Sequence, residues 1–339
     1  MLARPHTLAL VTTRRCTAAC DHCCFGCSPT AQDAIPIERL HGLIDEAKRV
    51  PSIHRIGFTG GECFLLGRDL VALVAHAHEL NFETRAITNG YWAHSERAAR
   101  LRIEPLYLAG LDELMLSTGT FHQRFVPVER VALGARAAAS FGIRTRISIE
   151  ACDQSEFDAA GLRASLADLA GDGSVCIAEE PWIPDAGGRG ASALSHDGIL
   201  TRELAERARG ACAQVLNVVT VTPRMQLTAC CGFPNEELPE LGIGSVAERP
   251  LDAVLSESPN MLLQMWLHVA GPAGIADFVA SKDREFVFPA FASICHACVA
   301  IQRDERAMRF VVQHAGEIVG DIAARFAAAQ PQLATASPC

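Results

Sequence analysis

The feature that most limits the folds open to this chain is a regular alternation in its first half. Short β-branched or apolar runs at 8–12, 55–59, 83–88, 113–117, 144–149 and 175–178 are separated by Ala-, Leu- and Glu-rich stretches with one apolar face, at 36–49, 69–80, 128–141 and 155–170. A parallel neighbour is reached only through a connection long enough to hold a helix, so this pattern predicts parallel strands joined by crossover helices. Repeated βα units of this size give an open or partial barrel, whose chemistry sits at the carboxyl ends of the strands. Residues able to do chemistry gather at those ends. A cysteine loop follows the first strand, Gly60-Gly61-Glu62 the second, Thr88-Asn89-Gly90 the third and Ser117 the fourth.

The alternation fades after Gly187-Gly188-Arg189-Gly190, where Pro and Gly become frequent. Three segments are expected: a core domain over 1–195, a second domain over 196–312, and a C-terminal helix and tail over 313–339. The chain has 30 basic and 39 acidic residues, a net charge of -9, and no basic cluster, which argues against a nucleic-acid partner. No apolar run reaches the roughly 18 to 20 residues that span a bilayer, so no membrane partner and a cytoplasmic location are expected.

Fourteen cysteines in a reducing compartment read as metal ligands or redox groups rather than disulfides. They crowd the two ends of the chain. The run Cys16-Thr-Ala-Ala-Cys20-Asp-His-Cys23 has the spacing C-x3-C-x2-C. Three thiolates on one loop can hold three irons of a cubane and leave the fourth open to a small molecule. Zinc is the competing reading, because Cys20-x2-Cys23 and Cys24-x2-Cys27 both have zinc-knuckle spacing.

The cysteine loop after the first strand, Gly60-Gly61-Glu62 after the second and Ser117 at the end of the fourth together resemble the radical S-adenosylmethionine (radical SAM) superfamily, over about residues 5–195. The resemblance implies a partial (β/α)6 TIM barrel. It implies that Cys16, Cys20 and Cys23 ligate a catalytic [4Fe-4S] cluster whose remaining iron binds S-adenosyl-L-methionine. It gives Gly60, Gly61 and Glu62 to the methionine amino group, Ser117 to the ribose or carboxylate, and Arg189 to a further cofactor contact. His22 stands where relatives carry an aromatic residue near the adenine, and Asn89 and Glu150 sit at strand ends, where each either faces the expected cavity or caps a helix or satisfies a turn. The implied reaction is reductive cleavage of S-adenosylmethionine to a 5'-deoxyadenosyl radical that removes a substrate hydrogen, with an external reductant such as flavodoxin or ferredoxin.

Later in the chain Cys212, Cys230 or Cys231, Cys295 and Cys298 offer four thiolates, enough to close a second site around an iron–sulfur cluster or a zinc ion. The set resembles the Twitch form of the SPASM auxiliary-cluster domain, which implies one auxiliary [4Fe-4S] cluster on Cys212, Cys230, Cys295 and Cys298. Among the remaining thiols, Cys63 and Cys152 lie at strand ends and are candidate hydrogen-atom donors. His122, just past the fourth strand, is a candidate base. Buried cysteine is otherwise a small apolar core residue, and the alternative for His122 is a helix-start residue.

Relatives with such domains act mainly on ribosomally made peptides, installing crosslinks, thioethers or inverted stereocentres, and the same is expected here. Because the cysteine loop is reached by residue 16, no fused leader-recognition domain is expected ahead of it. That leaves room for a separate recognition protein, a short leader bound by the barrel itself, or a small-molecule substrate. The alternatives are a radical SAM dehydrogenase or epimerase of a small molecule such as an aminocyclitol, and a non-catalytic zinc or iron–sulfur binding protein.

Overall fold

The structure, a computed structural model, describes residues 4–151, 157–181, 202–230, 238–259, 261–291 and 293–329. All six expected strands form: β1 (Thr7–Val11), β2 (Arg55–Thr59), β3 (Glu83–Thr88), β4 (Glu113–Gly119), β5 (Arg144–Ala151) and β6 (Val175–Pro181). Each pairs in parallel with the next, in sequential order. Steps that all run one way are the order of a βα barrel; a doubly wound sheet reverses direction. Among the described residues β6 has no strand on its outer side, so the array is open.

Among the described residues seven α-helices accompany these strands: α1 (Ile37–Ala47), α2 (Arg68–Glu79), α3 (Glu96–Leu108), α4 (Thr120–Gln123), α5 (Val128–Ser140), α6 (Ala159–Ser165) and α7 (Ala167–Gly171). α1 shows why they pack: Leu40, Leu43, Ile44 and Ala47 fall on one face and are buried, while Glu38 lies in its first turn near the positive end of the helix dipole. The single helix expected over 155–170 is instead broken at Leu166, whose φ and ψ leave the helical region between α6 and α7.

The second half is α8 (Arg202–Arg207), β7 (Val218–Val221), β8 (Gln226–Thr228), β9 (Gly242–Ser245), α9 (Leu251–Ser256), α10 (Met261–Lys282), α11 (Ile294–Arg303), α12 (Glu305–Gln313) and α13 (Ala315–Ala329). Strand β7 pairs in parallel with β1, Thr7 opposite Val218, and β8 and β9 follow antiparallel. One nine-stranded sheet therefore runs through both cysteine-bearing parts of the chain. β1, flanked by β2 and β7, is buried along its whole length, as a continuous apolar strand should be.

α10, 22 residues long, is a helix that the sequence pattern did not announce. This helix is apolar on nearly all sides, and it bends where Gly271 takes φ 68° ahead of Pro272. A Cβ at Gly271 would stand 2.0 Å from the Gly210 carbonyl oxygen, so only glycine permits the bend against that loop. No helix among the described residues is long and apolar enough to cross a membrane.

Candidate active site

The loop after β1 carries the first three predicted ligands into a cavity of about 250 Å³. Cys16, Cys20 and Cys23 line it together with His22, Gly60, Gly61, Asn89, Ser117 and His122. Cys16 and Cys20 are buried in a small cluster with Ala18, Cys27 and Phe121, and Cys23 packs against it. Burial pushes the Cys16 thiol up to about 11, against the pull of hydrogen bonds from the Ala18 and Thr17 backbone. Asn89 Nδ2 adds a third donor at 3.7 Å from Cys16 Sγ. Donors converging on a buried sulfur suit a thiolate ligand better than a neutral thiol.

Cys24 and Cys27, which the sequence left without a role, also stand in the cavity wall. The Cys27 backbone N–H donates to Cys23 Sγ at 3.4 Å, a contact that the i, i+4 spacing of the two cysteines could have announced.

Gly60 and Gly61 are required by the loop itself. A Cβ at Gly60 would come within 2.5 Å of the Thr13 carbonyl oxygen, and one at Gly61 within 2.4 Å of that of Arg15. The Gly61 and Glu62 N–H groups donate to those same two oxygens, at 2.6 and 3.0 Å. The second strand's end thus lies flat on the segment leading into the cysteine loop, which side chains would prevent.

Glu62 is placed differently from its neighbours. Its side chain turns behind the cavity wall, 1 % exposed, and accepts from Phe64 N–H at 3.0 Å, Thr88 Oγ1 at 2.8 Å and Asn89 N–H at 2.9 Å. Burial raises its pKa to about 7 despite those donors. Thr88 Oγ1 in turn accepts from Trp92 Nε1 at 3.0 Å, and Trp92 stacks on Phe64 with ring centroids 4.9 Å apart. Glu62 is thereby a strut that fixes the end of β3, and with it Asn89.

Across the cavity, β4 and β5 end in a carboxylate–imidazole pair. Glu150 Oε2 lies 2.8 Å from His122 Nδ1, and Glu150 Oε1 accepts from Phe121 N–H at 2.9 Å. The carboxylate occupies space that a Cβ at Gly119 would fill, 2.0 Å from Oε2. An ionised carboxylate only accepts, so opposite an ionised Glu150 the His122 N–H lies on Nδ1 and Nε2 is left with its lone pair. His22 stacks on Phe121 at 5.1 Å and meets His122 edge-on at 4.7 Å.

Cys63 does not join this group. It is fully buried, donates its thiol to the Ile87 carbonyl at 3.1 Å, and lies outside the cavity lining. Cys176, another unassigned thiol, is disulfide-bonded rather than free. Cys152, Arg189 and Cys231 lie outside the described residues.

The second cysteine set is also brought together in part. Burial, then the neighbouring Cys212 and Cys295 thiols, push Cys298 well above the usual thiol range. Cys212 is raised by burial, and its N–H donates to the Leu267 carbonyl of α10 at 3.0 Å. Cys230 follows β8, where its carbonyl accepts from Thr228 Oγ1 at 3.1 Å. Cys24 is raised by burial and by both Cys23 and Cys295, so the N-terminal loop reaches toward the C-terminal pair. Gln302, which the sequence gave no reason to single out, donates from Nε2 to Cys298 Sγ at 2.9 Å.

Comparison with known proteins bears on the family and the fold. Residues 10–149 match the profile of the Radical SAM superfamily. A stretch of 120 residues is 31% identical to YydG of Bacillus subtilis (strain 168), described as a peptide biosynthesis protein; it covers 35% of this chain and 38% of that one. The fold is similar to that of Streptococcus suis SuiB bound to its precursor peptide SuiA, with a TM-score of 0.56 at 15% identity over 76% of this chain and 66% of that one. It is also similar to anSMEcpe with bound AdoMet and Cp18Cys peptide, with a TM-score of 0.55 at 11% identity over 94% and 99%. At these identities the two structures speak for the fold alone.

Proposed function

From a radical SAM superfamily domain over residues 10–149, we propose that the chain is an S-adenosylmethionine-dependent enzyme that modifies a ribosomally synthesised peptide, by crosslink, thioether or epimerisation. The observation that carries the reading is the convergence of Cys16, Cys20 and Cys23 on one cavity with the Gly60-Gly61 turn, Asn89 and Ser117. The donor set fits the implied group: three sulfurs for a [4Fe-4S] cluster, with N–H donors around Cys16 to support a thiolate. When bound, such a cluster would supply the electron that splits S-adenosylmethionine.

The chain's own residues do the rest. The two glycines let backbone approach a ligand closely, and Ser117 and Asn89 offer polar atoms on the cavity wall. His22, held on Phe121, presents a ring face where relatives place an aromatic group. His122, oriented by Glu150, can accept a proton from substrate at Nε2. A second cluster on Cys212, Cys230, Cys295 and Cys298 belongs to the same proposal. It is supported by the Cys212 and Cys295 thiols, both of which act on Cys298. The peptide substrate is supported by the match to YydG, a protein described by peptide biosynthesis.

The test is anaerobic reconstitution of the wild type beside a Cys16→Ala, Cys20→Ala, Cys23→Ala variant, with iron counted and 5'-deoxyadenosine measured. About eight irons, falling to about four, with 5'-deoxyadenosine from the wild type alone, is the expected result. Zinc in place of iron, or full clusters without cleavage, would sink the enzyme reading.

A further inference from the structure

Among the described residues, carboxamide side chains donate to a cysteine sulfur at two places, one in each cysteine set. Asn89 reaches Cys16, but it has other work. Its Nδ2 also donates to Thr17 Oγ1 at 3.1 Å, and its Oδ1 accepts from Tyr91 N–H at 3.0 Å.

Gln302 is harder to explain as structure. It lies on α11 one turn beyond Cys298, is 6 % exposed among Val299 and Ile301, and its Oε1 is buried with no partner among the described residues. Burying a carboxamide is costly unless its polar atoms are paired, and leucine or methionine would fill the same space without that cost. The gain lies at the other end of the amide. Nε2 stands 3.1 Å from the Cys298 carbonyl oxygen and 2.9 Å from Cys298 Sγ. A carbonyl oxygen only accepts, so the NH2 end must face it, and that settles which way the amide points. Its second hydrogen is then available to the sulfur, which is a good acceptor only as a thiolate.

We propose that Gln302 is a positioning residue for a metal centre on Cys212, Cys230, Cys295 and Cys298, and that its N–H···S bond to Cys298 sets the reduction potential of the cluster held there. This rests on the auxiliary-cluster reading above. An N–H dipole aimed at a ligand sulfur stabilises the form carrying the extra electron, so the bond raises the potential. The N-terminal cluster, with Asn89 on Cys16, serves as the internal control.

The test uses the full chain, reconstituted anaerobically as wild type, Gln302→Leu and Gln302→Glu, with a Cys295→Ala, Cys298→Ala variant to identify the second cluster's signal. Iron is counted and each cluster's reduction is followed by electron paramagnetic resonance at controlled potentials. About eight irons are expected in the wild type and both Gln302 variants. Gln302→Leu should lower the reduced-to-oxidised ratio of the second cluster about tenfold at fixed potential, equivalent to about 59 mV, with the N-terminal signal unmoved. Gln302→Glu, which keeps the side chain's length but replaces a donor with negative charge, should lower it further, and it decides the matter by the same criterion if the leucine variant fails to assemble. Full iron with both signals unmoved overturns the proposal alone. About four irons in the wild type, undiminished by Cys295→Ala, Cys298→Ala, overturns the auxiliary-cluster reading and the proposal with it.

Discussion

His122 and Glu150 form a carboxylate–imidazole pair, Nδ1 to Oε2 at 2.8 Å, in a space kept open only because residue 119 is glycine. Gly119→Ala should displace the carboxylate and release the imidazole. General acid–base groups contribute about 10²- to 10⁴-fold, so Gly119→Ala and His122→Ala should both lower product formation by about 10²-fold or more. Cleavage of S-adenosylmethionine without substrate should persist in both. Equal loss of cleavage and product would show that the pair acts on cofactor binding instead.

The Gly61 contact with Arg15 gives a second expectation. Gly61→Ala puts a Cβ 2.4 Å from a backbone oxygen, where no flexible side chain can move aside. The cysteine loop must shift, so iron retained on the N-terminal site should fall while the far-ultraviolet circular dichroism of the sheet and helices stays close to wild type. Full iron in Gly61→Ala would mean that the loop adapts.

Glu62 predicts a dependence of stability on pH. Its folded pKa of about 7 lies above its ordinary 4.5. Between those values the folded protein holds a proton that the unfolded chain has released. Unfolding sheds it, so stability falls as pH rises from about 4.5 to about 7 and then levels off, by about 3 kcal/mol at most. Glu62→Gln should lack this component. Denaturant melts of the two ligand-free proteins at several pH values test it, and parallel curves would contradict the buried carboxyl.

Cys63 should prove structural. Its thiol is enclosed and bonded to the Ile87 carbonyl, so Cys63→Ala should cost about 1 kcal/mol in stability and leave the distribution of products unchanged. Accumulation of an unquenched substrate radical in that variant would restore it as a hydrogen donor.

These placements show what the sequence carries and what it does not. The strands were legible because apolar runs of strand length alternate with amphipathic helices, and the cysteine loop at the cavity because three cysteines share fixed local spacing. Both are short-range signals. The direction of Glu62 was not legible, since it depends on Thr88 and Asn89 from the next strand. Nor was the pairing of His122 with Glu150, 28 residues apart and joined only by parallel pairing of β4 with β5. α10 escaped because it is apolar on nearly every side and so lacks a helical stripe, while Gly271-Pro272 reads as a break. Gln302 shows a helical offset from Cys298, but the offset carries meaning only once Cys298 is a ligand.

The pairing of Thr7 with Val218 bears on how the protein is made. Strand β1 has one edge satisfied early, by β2, and waits for roughly two hundred further residues before β7 arrives to cover the other. During that interval an apolar, unpaired edge stands directly ahead of the cysteine loop, inviting misassembly with other nascent chains. Expression at low temperature, with slow synthesis and chaperones in excess, should therefore raise the yield of intact protein.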